Sequence, residues 1–435
     1  MTAPNATPGI PSGIPAPGAQ PVASQPAAQP TAQPTAPSHL FATQPGSPAT
    51  PSATPSTAAP SVNAAPSMTA APSMTAATSV PPTPAMPSAS PRKPIVTPGA
   101  SAPGHVLDAD TIARSNELVG RIRTCFSHGL VGQQQLREAL IVTLLAGGHI
   151  LIESVPGLAK TTAARLLASS VSGTFHRIQC TPDLMPADLV GTQVFDFATQ
   201  RMTTQIGPIH ANIVLLDEIN RSSAKTQSAM LEAMAEGATT IGGESIELPQ
   251  PFMVIATQNP IDEEGTYALP EAQMDRFMMK SVMTYPTPDQ ECQMLDMLAR
   301  RRTDQPDYQQ GPETTISLRD LTYLRDNVRR VHVAPSIMQY VVGIVSTTRG
   351  GGPRPVQGLR NIVRLGASPR ASIALIRVAQ AQALLNHRDY VVPEDVKNFA
   401  TDVLRHRVLL TFEAQADDIT SDEVIDRVIK AVPVP

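Results

Sequence analysis

Hydrophobic and polar positions change period several times along the chain, and each change marks an element. Ile112, Leu118, Val119 and Ile122 recur at helical spacing behind Asp110, an acid that can cap a first turn, and predict a helix. A second helix is expected after Val131 and Gly132, ending at Gly147 and Gly148. Then come short apolar runs: HILIE at 149–153, FHRIQC at 175–180, NIVLLDE at 212–218 and FMVIATQN at 252–259. Each reads as a buried parallel strand, and helical stretches separate them. Strand and helix in alternation predict a parallel sheet with helices on both faces. Ligands of such sheets sit at the carboxyl ends of the strands.

Beyond about Thr284 the strand pattern stops. Helical segments broken by PTPD, GPET, APS, GGGPRP and VPED predict a separate all-α domain at 285–435, following an α/β core at 105–284. The first 104 residues show neither period. They are almost entirely Pro, Ala, Ser, Thr, Gly and Gln, hold 25 of the 44 prolines, contain no Asp or Glu, and carry only Arg92 and Lys93 as charges. Such a composition cannot bury a core, so 1–104 is expected to be a disordered, partly polyproline-like tail.

Composition also narrows the function classes. The net charge of -4, set against a slightly basic tail, puts the acidity on the folded part and lends no support to a nucleic-acid role. MTAPNATPG lacks the basic start and apolar core of a secretory signal, and no apolar run is long enough to span a bilayer. Cys125, Cys180 and Cys292 are odd in number and widely spaced, which fits neither a disulfide framework nor a zinc site. A cytoplasmic protein is expected.

Candidate chemistry lies where the strands end. A phosphate cradle needs converging backbone N–H groups, a lysine for the β and γ phosphates and a hydroxyl for Mg²⁺. SVPGLAKT at 154–161 supplies most of this. Against the pattern G-x-x-x-x-G-K-[ST], Ser154 stands at the first glycine and Ala159 at the last, leaving Gly157 inside the loop. Taken alone, this could be an ordinary strand-to-helix turn with a solvated lysine. Downstream, Asp217 and Glu218 end a buried run, where one carboxylate can hold Mg²⁺ and the next can polarise water. The bland alternative is a pair of helix N-terminal acids balancing the dipole. Asn259 ends the next run and could orient the attacking water or merely cap a turn.

Together SVPGLAKTT, RIQCTPDLMPADLVG, VLLDEINRSSAKTQSAMLEAMAEG, VIATQNPIDEEGTYALPEAQMDRF and GASPRA closely resemble the MoxR family of AAA+ ATPases, over residues 118–410. The resemblance implies an AAA+ P-loop core with a helical lid, working as a ring, usually a hexamer, with ATP held between neighbouring subunits. By that resemblance Pro156, Gly157, Leu158, Ala159, Lys160, Thr161 and Thr162 form the phosphate loop, and Thr161 and Asp217 hold Mg²⁺. Asp217 and Glu218 become the Walker B pair, Asn259 sensor 1 and Arg370 sensor 2. Arg276 becomes the arginine finger offered to a neighbour's γ-phosphate, and Val131 and Gly132 the adenine-contacting box.

Each of these carries a plainer alternative: a surface ion pair for Arg276, a lid carboxylate or exposed helix face for Arg370, and any packed turn for Val131 and Gly132. The stretches 189–208 and 238–251 resemble inserts that face the pore or the substrate in related motors, and Gly242 and Gly243 independently suggest a tight hairpin turn in the second. The expected function is an ATPase that remodels or matures a partner protein, the resemblance suggesting one with a von Willebrand factor A domain. The rival readings are a nucleotide-dependent assembly scaffold with little hydrolysis, kept open by Ser154, and a metal-chelatase-type motor subunit.

Overall fold

Apolar residues that alternate between two environments build the centre of the protein. In the computed structural model, which describes residues 107–435 apart from 128, 156, 261–265, 301–314, 353 and 355, they lie in a five-stranded parallel sheet. The expected tail at 1–104, its boundary at 104/105 and Pro156 lie outside the described residues.

The sheet uses β1 (Ile150–Glu153), β2 (Phe175–Gln179), β5 (Ile213–Asp217), β8 (Met253–Gln258) and β9 (Met279–Val282), in the order β2-β5-β8-β1-β9. The remaining core strands form two hairpins, β3 (Gly191–Asp196) with β4 (Arg201–Ile206), and β6 (Ala238–Ile241) with β7 (Glu244–Glu247). These occupy the two stretches that resemble inserts. Gly242 and Gly243 both turn at positive φ, 61° and 89°, as a tight hairpin turn between antiparallel strands requires.

Two departures from the strand reading have physical causes. FHRIQC forms the edge strand β2 and is mostly exposed rather than buried, because only β5 pairs with it. The strand β9 was not among the expected ones: Met278 and Met279 are buried, but Lys280 interrupts the apolar run and is tied to Glu153 of β1 at 2.8 Å.

The core helices are α1 (Ala109–Ser127), α2 (Gln134–Ala146), α3 (Lys160–Ser169), α4 (Pro186–Val190), α5 (Ala224–Glu236) and α6 (Glu271–Met274). Asp108, not Asp110, caps α1: its Oδ1 accepts from the Thr111 N–H at 2.7 Å, the distance along the chain that an N-cap side chain reaches. Helix α2 ends as expected, with Gly147 left-handed at φ 71°.

After the core come α7 (Pro288–Arg300), α8 (Leu318–Arg330), α9 (Pro335–Thr348), α10 (Leu359–Ile362), α11 (Pro369–Leu385), α12 (Pro393–Asn398), α13 (Ala400–Leu404), α14 (Phe412–Ala416) and α15 (Ser421–Ala431). This lid is helical but not purely so, since β10 (Val363–Leu365) pairs antiparallel with β11 (Leu409–Leu410). Strands of two and three residues leave no periodic trace in a sequence.

Successive strand residues face opposite sides of a sheet. Ile150, Ile152, Ile213, Leu215, Met253 and Ile255 join one apolar cluster that continues through α2 into α11 of the lid. Leu151, Val214, Leu216, Val254 and Ala256 join a second cluster, with Met230, Leu231 and Met234 of α5. At roughly 1.5–3 kcal/mol for each large side chain fully buried, the shared first cluster makes core and lid a continuous packing unit. The described residues accordingly fall within one compact unit.

Candidate functional site

The chain leaves β1 at Glu153 and enters α3 at Lys160. Two left-handed residues allow so abrupt a turn, Gly157 at φ 86° and Ala159 at φ 59°. Ser154, which replaces the first glycine of the pattern, stays out of the left-handed region, and its hydroxyl donates to the Val155 carbonyl at 3.0 Å. Serine is therefore accommodated without strain, and Ala159 carries the unusual conformation instead. Leu158 is buried beneath the loop, Thr162 is half-buried, and Lys160 Nζ donates to the Ser154 carbonyl at 3.0 Å.

Asp217 ends β5 beside this loop and is held on both oxygens. Thr257 Oγ1 donates to Oδ1 at 2.7 Å, while Arg177 Nε and Nη2 reach Oδ2 at 3.1 and 2.7 Å and Thr161 Oγ1 reaches it at 3.3 Å. Burial acts to raise its pKa, but the bonds from Thr257, Arg177 and Thr161 together with the Arg177 charge outweigh it and hold the carboxyl below its ordinary 3.8. Asp217 is thus an anion on a buried strand rather than a helix N-terminal acid. The Thr161 hydroxyl beside a carboxylate suits Mg²⁺, which takes few protein oxygens and completes its shell with water and phosphate.

Glu218 follows in the left-handed region at φ 58°, its N–H bonded to Thr257 Oγ1 at 2.9 Å. Its carboxylate accepts from Gln179 Nε2 at 3.2 Å and pairs with Arg221 at 3.1 Å. Asn259, buried just past β8, accepts from Asn220 Nδ2 on its carbonyl at 3.2 Å. Val131 and Gly132 lie before α2, and Gly132 sits at φ 66°, where a Cβ would come within 3.0 Å of the Gln290 side chain. Gln133 Nε2 donates to the Thr284 carbonyl at 3.0 Å, so this turn is tied to the segment joining β9 and α7.

Arg177 and Gln179 were not among the expected site residues. They share one face of β2 because they are two apart, and the register sets Gln179 opposite Asp217. Only that pairing, which no single-sequence pattern gives, could have pointed to them.

Arg276 and Arg370 lie elsewhere. They line a cavity of about 310 Å³ with Arg377, Arg407, Asp275 and His149, next to Gly147, Gly148 and Met278. Those last residues immediately precede β1 and β9, so the cavity opens at the amino ends of the strands while the phosphate loop lies at the carboxyl ends. The four residues of β1 alone separate the two by roughly 13 Å at about 3.3 Å per residue. Arg276 makes no ion pair with another described residue, and its Nε is buried without a hydrogen-bond partner. Arg370 Nη1 lies 3.8 Å from Asp275, a core carboxylate rather than a lid one. The structure therefore brings Lys160, Thr161, Asp217, Glu218 and Asn259 together and leaves Arg276 and Arg370 at the far end of the sheet.

Loop, paired acids and helical lid on a parallel sheet define a P-loop ATPase of the AAA class. Residues 149–279 match the family described as "ATPase family associated with various cellular activities (AAA)", and residues 360–428 match the AAA lid domain. The chain is 42% identical over 353 residues to a Mycobacterium tuberculosis protein named chaperone MoxR1, covering 81% of this chain and 89% of that one. It is 43% identical over 318 residues to YeaC of Bacillus subtilis, covering 73% and 95%. The crystal structure of a candidate ATPase from Cytophaga hutchinsonii superposes with a TM-score of 0.68 at 37% identity, covering 75% of this chain and 97% of that one. The chain belongs to the MoxR family of AAA ATPases. Among the described residues no helix is long and apolar enough to cross a membrane.

Proposed function

We propose that this chain hydrolyses Mg-ATP at sites shared between neighbouring subunits of a ring, a hexamer by family resemblance, and uses the cycle to remodel or mature a partner protein. The observation that carries the reading is the division of the machinery between two opposite ends of one sheet. A chain folded this way cannot bring Arg276 to its own Lys160, whereas head-to-tail neighbours can, and such heterologous contacts generate a ring when their rotation closes.

At the phosphate end, Lys160 and the loop N–H groups meet the β and γ phosphates, and Thr161 and Asp217 hold the metal. Mg²⁺, when bound, supplies positive charge to the phosphate oxygens. Glu218 accepts the proton of the attacking water once released from Gln179 and Arg221, and Asn259 orients that water. Arg276 and Arg370 of the adjoining subunit stabilise the charge that develops on the γ-phosphate.

A protein as substrate fits the β3–β4 hairpin, where Val194, Phe195, Phe197, Met202 and Ile206 are exposed, Phe197 at 87%. The name chaperone on the Mycobacterium relative supports the same class, and family resemblance favours a partner with a von Willebrand factor A domain. With Ser154 unstrained, the feature that kept a non-hydrolysing scaffold open loses its force.

Mixing tests the shared site. Arg276→Ala subunits should bind ATP normally yet hydrolyse about 10³ to 10⁵ times more slowly, the range for an arginine finger. Adding Lys160→Ala subunits, which keep Arg276 but lose their own phosphate lysine, should restore turnover. A mixed ring no more active than its parts would sink the reading.

A further inference from the structure

Arg407 stands in the lid segment Arg405-His406-Arg407, just after α13, and is almost wholly buried, its side chain 3% exposed. All five of its N–H groups are used, and most point at the short segment that carries Arg276. Nε donates to Asp275 Oδ1 at 2.7 Å, and Nη2 donates to the carbonyls of Asp275 at 3.1 Å and Phe277 at 2.6 Å. Nη1 donates to the Met278 carbonyl at 3.1 Å and to Val403 within its own segment. His406 Nε2 adds a contact to the Phe277 carbonyl at 3.1 Å. A second lid element reaches the same place, Ser368 Oγ donating to Asp275 Oδ2 at 2.9 Å.

The backbone on both sides of Arg276 is thereby held by the lid, while the Arg276 side chain is left to face the cavity. A guanidinium is the one side chain with five donors in a planar fork, so no other residue can satisfy this set of acceptors. We propose that Arg407, with Asp275, is the positioning residue for Arg276: it sets the finger's backbone so that the neighbouring subunit's phosphate is met at working distance. The inference rests on the reading of Arg276 as a group acting in trans. It makes the lid of one subunit part of the hydrolysis site of the next, without Arg407 touching nucleotide.

The test is Arg407→Lys in the full-length chain, which keeps the charge but offers one nitrogen where three are used. Misplacement by about 1 Å costs up to about 10²-fold in rate, so kcat should fall between about tenfold and a hundredfold. KM for ATP should stay within about twofold, because the subunit's own phosphate loop is intact. Adding Lys160→Ala subunits should restore turnover, and Arg407→Lys should lower kcat no further in an Arg276→Ala background. A defect in folding or in the subunit's own site would not be repaired by mixing.

Wild-type kcat in the folded variant, or a loss that mixing leaves unchanged, would overturn the proposal. Asp275→Asn, which keeps the side-chain volume, carries the same expectations should Arg407→Lys not fold. Failure of both to fold would make the pair a structural staple and equally overturn it. Arg276→Ala mixed with Lys160→Ala, run in parallel, separates the cases: if that mixture recovers and the Arg407→Lys mixture does not, only the positioning role falls.

Discussion

At the carboxyl ends of the strands the chain gathers a lysine, a threonine, two carboxylates and an amide. At the amino ends it gathers four arginines around one aspartate. In the first set, Asp217, Glu218 and Asn259 end or directly follow β5 and β8, and Lys160 and Thr161 open α3 behind the loop that leaves β1, so each is positioned by one strand or by the short loop from it. The second comes from the segment before β9, the start and first turns of α11, and the residues after α13, brought together only when the lid docks. One end is the candidate phosphate site; the other is an arginine cluster whose Arg276 Nε is unpartnered among the described residues. The two ends carry complementary groups, and the length of the strands holds them apart within one chain; the proposed shared site draws on both.

The largest expected effects lie at the phosphate end. Lys160→Ala should abolish ATP binding in a titration, and retained affinity would show that the loop is only a turn. Glu218→Gln should leave that affinity unchanged while kcat drops about 10²- to 10⁴-fold, the share of a general base. Equal turnover in variant and wild type would move the base elsewhere.

Arg370→Ala sharpens the comparison from the other end. Because Arg370 shares the cavity of Arg276, its loss should lower kcat by about tenfold or more, spare nucleotide affinity, and be repaired by Lys160→Ala subunits. Weakened ATP binding in that variant would instead assign it to the subunit's own nucleotide.

Smaller changes probe each end's internal electrostatics. Arg177→Met removes a cation bonded to the Asp217 oxygen that also faces Thr161, so the Mg²⁺ concentration for half-maximal activity should fall roughly threefold to tenfold. A higher Mg²⁺ requirement would mean that Arg177 aligns the carboxylate more than it competes for it.

At the arginine end, His149 packs edge-on against Phe252 at 5.5 Å, its Nδ1 accepting from the Val254 N–H at 3.0 Å and its Nε2 3.3 Å from the Met234 carbonyl. Burial pushes its pKa down to about 4, the Arg325 charge adding to the shift and the Met234 contact opposing it. The folded state therefore binds this proton less readily than the unfolded chain does. Its contribution to stability is complete above about 6.5 and is lost as the pH falls towards about 4. His149→Gln should flatten the fall in melting temperature between pH 7 and pH 5, leaving the part due to His406, which burial depresses in the same direction. An unchanged slope would remove His149 from the account.

The sequence by itself determined the phosphate end. Apolar runs that finish in DE and QN state both the strand and the group it delivers, because strand end and candidate residue are covalent neighbours, and the loop that leaves β1 carries its lysine to the start of α3. The edge character of β2, the short strand β9, the β10–β11 pair and the capping by Asp108 were decided by pairing and local geometry that short segments do not encode in their period. Arg276 and Arg370 were legible as motif residues, but not their distance from Lys160. Arg177 and Arg407 were not legible at all: each bonds an aspartate far away in the chain, Asp217 or Asp275. Such contacts exist only after strand register and lid docking are settled, and no local spacing announces them. Tertiary structure alone divided the residues between opposite ends of the sheet, because a rigid parallel strand holds its two ends apart by its own length.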